Sequence, residues 1–281
     1  MLLERVGKRY HPRAPWVLRD IDLHLPESSL VRISGGNGGG KSTLLRLLAG
    51  VSAPTAGSVR NRPRTAYVPE RFPPALPFDA ARYLRHLGRV HGLGAAEAAR
   101  RADHWTERLG LGDHARSPLR QLSKGTSQKV AVAQALMAEP GLLVLDEAWT
   151  GLDAGSRAVL DAAVLDRVAA GGRAVFVDHD PRRLAGRVDA AYAVTGTGLR
   201  PVGTAPAPPP GARVLIEVDG LGPEPLPALP GSPEVTPATS GRTRLTVSEH
   251  HSDALLRALL DLPSAPHVRA VRGATDPGES A

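Results

Sequence analysis

The sequence predicts an α/β fold: a sheet containing parallel strands, with helices on its flanks. Three observations carry this reading. Short apolar runs at Leu30–Ser34, Leu142–Leu145 and Ala174–Val177 have the length and composition of buried strands. Segments with helical spacing separate them, so strands alternate with helices as a parallel sheet requires. A glycine-rich stretch, Gly35 to Gly40, leads from the first strand into the first helix. At such a junction backbone amides can meet phosphate.

The elements follow in order. Lys41–Ala49 reads as a helix with Leu44, Leu45, Leu47 and Leu48 on its apolar face, and Gly50 stands where a C-terminal cap belongs. Residues 79–116 have helical spacing, broken at Gly92-Leu93-Gly94, and predict a mainly helical part at about 76–138. Further helices are expected over 127–138 and about 156–169, with Pro140-Gly141 and Gly171-Gly172 ending them. Composition changes at 201, where Pro201 to Pro210 holds five prolines. The expected organisation is a main domain over 1–200, a linker over 201–212, a small α+β extension over 213–272 and a frayed tail over 273–281. In the extension, 214–218, 244–247 and 268–271 read as strands. Asp253–Leu260 reads as a helix with Ser252 as its cap.

Composition narrows the function classes. The 281 residues include no cysteine, which excludes disulfides and thiolate metal sites. The N-terminus lacks the apolar core of a signal peptide, and no run reaches the roughly 18 apolar residues of a membrane span. A soluble cytoplasmic protein is expected. The net charge of +7 is uneven, since residues 1–200 hold 29 Lys+Arg against 19 Asp+Glu. A basic surface can serve nucleic acid or an anionic membrane. Here 31 of the 35 cations are Arg, amid abundant Ala, Gly and Pro, which fits coding bias better than a binding face.

The chemistry concentrates in a few motifs. Gly35-x-x-x-x-Gly40-Lys41-Ser42 has the phosphate-loop spacing. Its glycines permit close backbone approach, Lys41 would reach the β- and γ-phosphates, and Ser42 would ligate Mg²⁺. Gly36, Asn37, Gly38, Gly39 and Thr43 complete the nucleotide-binding set. The strand ending in Asp146-Glu147 points two carboxylates at the sheet edge where such folds bind ligands. Asp146 would hold the metal, and Glu147 would orient or deprotonate the attacking water.

In order and spacing these pieces resemble the nucleotide-binding subunit of ABC transporters, over about residues 1–200. Leu122-Ser123-Lys124-Gly125-Thr126-Ser127-Gln128 resembles the family signature, usually Leu-Ser-Gly-Gly-Gln, with Lys124 and Thr126 as departures. The resemblance implies that Ser123 and Gly125 contact ATP held by an opposite subunit. Gly151-Leu152-Asp153 is similar to the family's D-loop, which crosses the dimer interface. His179 is similar to its switch histidine, and Tyr10 to the aromatic that stacks on adenine, with Trp16 as the alternative. Glu70, in Tyr67-Val68-Pro69-Glu70, stands where the family usually has a metal-contacting Gln, and a carboxylate can take that role.

What the resemblance implies is an ABC-type P-loop ATPase fold, with an antiparallel N-terminal β part and a helical subdomain. It also implies ATP and Mg²⁺ as cofactors, a homodimer or a heterodimer with a homologous ATPase, and a separate transmembrane permease that holds the chain at the cytoplasmic face of the membrane. Glu70, the Leu-Ser-Lys-Gly signature and the C-terminal extension are similar to the exporter branch. The competing reading is a non-transport ABC ATPase acting on DNA or the ribosome. A single cassette without a coiled-coil insertion or zinc ligands argues against it.

Overall fold

Two opening strands, Leu2–Lys8 (β1) and Leu18–His24 (β2), pair antiparallel, with Leu3 opposite Leu23 and Val6 opposite Ile21. This is a computed structural model, and it describes residues 1–72, 76–204, 213–220, 229–230, 233–238, 242–260, 262 and 266–274. Ser29–Gly35 (β3) follows, then Lys41–Ala49 (α1) and Ala56–Arg60 (β4). Strand β4 pairs antiparallel with the other side of β1, giving a three-stranded sheet in the order β2-β1-β4. Next come Thr65–Val68 (β5) and a helical stretch of Ala80–Val90 (α2), Ala95–Arg108 (α3) and Lys124–Met137 (α4). The chain continues with Leu142–Asp146 (β6), Ala154–Ala169 (α5), Arg173–Val177 (β7), Ala190–Thr195 (β8) and Gly198–Val202 (β9).

The larger sheet has the order β5-β6-β7-β3-β8-β9. Its first five strands run parallel and β9 turns back antiparallel. The strand pleat sends alternate side chains to opposite faces. Leu143 and Leu145 of β6 therefore join α4 and α5 in one apolar cluster, while Leu142 and Val144 join α1 and the N-terminal sheet in another. Both faces are covered, which is why residues 142–145 of β6 and 174–177 of β7 are continuously apolar.

Helix starts were set by caps rather than by apolar periodicity. Helix α4 begins at Lys124, not 127, because the Ser123 hydroxyl accepts the amide of Thr126 at 3.1 Å. Helix α5 begins at Ala154 because Asp153 accepts the amide of Ser156 at 2.7 Å. Gly50 closes α1 in the left-handed conformation, φ 76°. Phe176 is fully buried and meets Trp149 edge-on, with centroids 5.6 Å apart. Phe176→Ala is expected to cost about 3–5 kcal/mol of stability. Urea unfolding followed by tryptophan fluorescence checks this, and an unchanged midpoint would refute it.

The chain divides into two compact units, Met1–Pro206 and Ala207–Ala281. The second unit holds Arg213–Asp219 (β10), Glu234–Ala238 (β11), Arg242–Ser248 (β12), Glu249–Leu260 (α6) and His267–Ala274 (β13). Its sheet is antiparallel in the order β11-β12-β10-β13, with Ile216, Val218, Leu245, Val247, Leu255 and Leu259 buried together. Helix α6 starts one turn earlier than expected, so Ser252 lies buried inside it and is not its cap. Residues 205–212 of the expected linker and 275–281 of the expected tail lie outside the described residues. Among the described residues no helix is long and apolar enough to cross a membrane.

Candidate active site

The loop between β3 and α1 forms the floor of an open cleft of ≈ 470 Å³. Gly40 is the residue before α1 and adopts φ 97°, where a Cβ would come 3.2 Å from the Leu18 and Val17 side chains. The first turn of α1 carries no acidic residue and no side-chain cap. Its amides and positive dipole end are thus available to an anion. The Lys41 ammonium folds back onto the loop and donates to the carbonyls of Gly35 at 2.8 Å and Gly36 at 3.0 Å. The cleft is lined by Tyr10, Val17, Asn37, Gly38, Gly39, Gly40, Lys41, Ser42, Thr43, Glu70, Glu147 and His179.

Asp146 ends β6 and is 2% exposed. One of its oxygens accepts from Ser42 Oγ at 3.2 Å and the other from the Tyr67 phenol at 2.9 Å. Burial pushes its carboxyl above the usual range, and the nearby Glu70 charge adds to that rise. Burial likewise pushes the Tyr67 phenol up, helped by the charge of Asp146. Ser42, Asp146 and Glu70 supply hard oxygen donors, the chemistry that Mg²⁺ takes.

Glu147 adopts φ 52°, a left-handed conformation that is strained for a non-glycine residue. Its amide donates to Val177 at 3.0 Å, which pins the start of the turn to the end of β7. Its carboxylate lies 2.8 Å from His179 Nε2. That pair joins the loop after β6 to the loop after β7, and both side chains line the cleft. The histidine is 63% exposed and the glutamate 17%, so the imidazole is the partner free to swing.

Tyr10 is half exposed at the cleft edge, its hydroxyl 3.0 Å from Thr43 Oγ1 and the Lys8 ammonium 5.5 Å from its ring. Trp16 packs against Gly7 and Arg9 and does not line the cleft. Three other sequence-derived candidates lie elsewhere. Ser123 caps α4 on an exposed surface. Gly125 touches the loop before α5 so closely that a Cβ would lie 2.6 Å from the Gly151 carbonyl. Asp153 caps α5 and pairs with Lys129 at 2.6 Å. Burial would raise the Asp153 carboxyl, but Lys129 and Ser156 outweigh it and hold it at about 2.

Sequence reasoning missed two residues here. In the sequence Tyr67 is only a neighbour of Glu70, yet in the fold its phenol donates to Asp146. Gln128 is 3% exposed and donates to the carbonyls of Pro69 at 3.4 Å and Ala148 at 3.3 Å. It ties α4 to the segments bearing Glu70 and Glu147. A buried amide on the inner face of a helix was the available signal, because such groups need partners.

An uncapped helix end, a lysine folded along its loop and a buried carboxylate beside a serine hydroxyl gather at one cleft, an arrangement whose chemistry suits a polyphosphate. The class is thus the P-loop nucleotide hydrolases. Residues 18–150 match the ABC transporter family. The zinc import ATP-binding protein ZnuC of Cereibacter sphaeroides is 39% identical over 58% of this chain and 67% of its own length. The aliphatic sulfonates import ATP-binding protein SsuB of Mycobacterium avium is 38% identical over 63% of this chain and 70% of its own. A solved dimer, the post-hydrolysis state of the ATP-binding cassette MJ0796 bound to ADP and Pi, shares the fold with a TM-score of 0.62 and 22% identity, covering 72% of this chain and 97% of that one. The chain belongs to the ABC transporter family, as an ATP-binding subunit with ATP hydrolase activity.

Proposed function

We propose that this subunit works as a dimer, each ATP lying between the phosphate loop of one chain and Ser123–Gly125 of the other, and drives a separate permease at the cytoplasmic face of a membrane. The observation carrying this reading is the placement of Ser123. It caps a helix whose first turn has no acid, it is exposed, and it lies outside the cleft of its own chain. Ser123 takes one amide of that helix end, and its exposed hydroxyl with the remaining amides is suited to a phosphate brought by another chain.

Within each cleft, Gly35, Gly36, Asn37, Gly38, Gly39, Gly40 and Thr43 would surround the phosphates, with Lys41 neutralising them. Ser42, Asp146 and Glu70 would hold Mg²⁺, which supplies charge neutralisation at the β- and γ-oxygens. Glu147 would take the proton of the attacking water, and His179 would hold the γ-phosphate end in place. Asp153 would act at the dimer interface at the end of the loop that leads into α5. ATP favours the closed dimer because it makes contacts there that the open state lacks. The two relatives named above are import proteins and give no support to the exporter resemblance of Glu70 and the signature. Direction of transport belongs to the permease, since the ATP chemistry is common to both.

Ser123→Arg tests the composite site. In a Glu147→Gln background, ATP is expected to drive the parent chain to dimer in light scattering. The added Ser123→Arg should leave it monomeric, with ATP affinity changed by less than about twofold. A dimer of undiminished stability would sink the proposal. A second variant probes the base. Tyr10→Ala should weaken ATP by about 1–3 kcal/mol, and GTP by a similar amount, because stacking reads a ring face rather than an edge. Fluorescent-nucleotide titration measures both, and equal affinities before and after would remove Tyr10 from the site.

A further inference from the structure

We propose that Asp161 and Arg183 are positioning residues for hydrolysis, a buried clamp that holds the Glu147 and His179 loops in register. The inference rests on the reading of Glu147 and His179 given above.

The clamp is continuous from one loop to the other. Trp149, two residues past Glu147, donates its indole N–H to Asp161 Oδ1 at 2.8 Å. The other oxygen of Asp161 accepts from Arg183 Nη1 at 2.9 Å. The guanidinium lies 5.4 Å from the Trp149 ring centroid. On its far side Arg183 Nε stands 3.7 Å from Asp178 Oδ2, too long for a hydrogen bond but close for a charge contact. Asp178 immediately precedes His179, and its Oδ1 accepts the amide of Asp180 at 2.7 Å. Arg32 fixes the same loop by donating to the carbonyls of Asp178, Asp180 and Pro181 at 2.7–3.1 Å. Trp149, Asp161 and Asp178 thus link, through one arginine, the two loops whose side chains meet at 2.8 Å in the cleft.

Burial argues that this arrangement is not merely stabilising. Side-chain exposures are 12% for Arg183, 19% for Asp161 and 10% for Asp178. Desolvating such charges offsets most of their attraction, so a buried pair is weak evidence for stability. What a planar guanidinium between two carboxylates does supply is fixed geometry. The Glu147–His179 pair needs that geometry, because the glutamate backbone is strained and the histidine is exposed. No phosphate-loop residue takes part in the clamp, so ATP binding should be indifferent to it.

A double-mutant cycle on ATP turnover of the full chain tests this. Arg183→Met keeps the stem over Trp149 and removes the fork. It is expected to lower kcat by about tenfold or more and leave KM for ATP within about twofold. In a His179→Ala background the same substitution should change kcat by less than about twofold, because the group it positions is gone. Asp161→Asn can still accept from Trp149 while turning an amide toward Arg183. It should give the same loss, and Arg183→Lys should retain more activity than Arg183→Met. If Arg183→Met does not fold, Asp161→Asn carries the cycle. Equal losses in both His179 backgrounds, an unchanged kcat, or a raised KM would each overturn the clamp. A His179→Ala variant with full turnover would overturn the reading of His179 instead, and that single measurement separates the two failures.

Discussion

Glu147→Gln is expected to lower steady-state ATP turnover by about 10²- to 10⁴-fold, the range a lost general base produces. The substitution keeps the side-chain length and a carbonyl oxygen able to accept from His179, now 2.8 Å away. It removes only the ability to take a proton. The Glu147 amide stays on the Val177 carbonyl, so the turn that aims the side chain is retained. ATP affinity should stay near wild type, since Lys41, Ser42 and the loop amides are untouched. The closed dimer should then accumulate, because the step that dissolves it is blocked. Phosphate release and light scattering in the presence of ATP and Mg²⁺ read both effects. Turnover within about twofold of wild type would remove Glu147 as the base.

The parts of this site that were legible in the sequence are those whose geometry is local. A strand, a glycine loop and a helix in succession leave little freedom for where Lys41 and Ser42 point. Likewise an apolar strand ending in Asp146-Glu147 must deliver those residues to one sheet edge. The unread parts are long-range pairings. Tyr67 and Asp146 are 79 residues apart in the chain and meet because β5 lies beside β6. Gln128 reaches two loops only once α4 has packed under them. Arg183 reads as one of many surface arginines until the fold sets it against Trp149 and Asp161. Capping was a different kind of omission. Ser123 and Asp153 were singled out for contacts across a dimer, while their hydroxyl and carboxylate were also fixing where α4 and α5 begin.

Lys41→Ala should weaken ATP binding by roughly 10- to 100-fold, the loss of one charge-assisted hydrogen bond at about 1.5–3 kcal/mol. The structure argues that the fold will tolerate the change. Among the described residues the ammonium bonds only to the Gly35 and Gly36 carbonyls, at the exposed end of an open cleft where water can replace it. The helix that Lys41 begins is held by Leu44, Leu45, Leu47 and Leu48, all fully buried. The expected loss is selective. Adenosine, which offers a base to Tyr10 but no phosphate, should bind the variant as well as it binds wild type. ATP should lose affinity strongly, and its salt dependence should flatten as one cation leaves the site. Calorimetric titration of both ligands at two ionic strengths separates a lost phosphate contact from a disordered loop. Weakened adenosine binding would point to disorder, and unchanged ATP affinity would mean that the loop amides and the dipole of α1 hold the phosphates without Lys41.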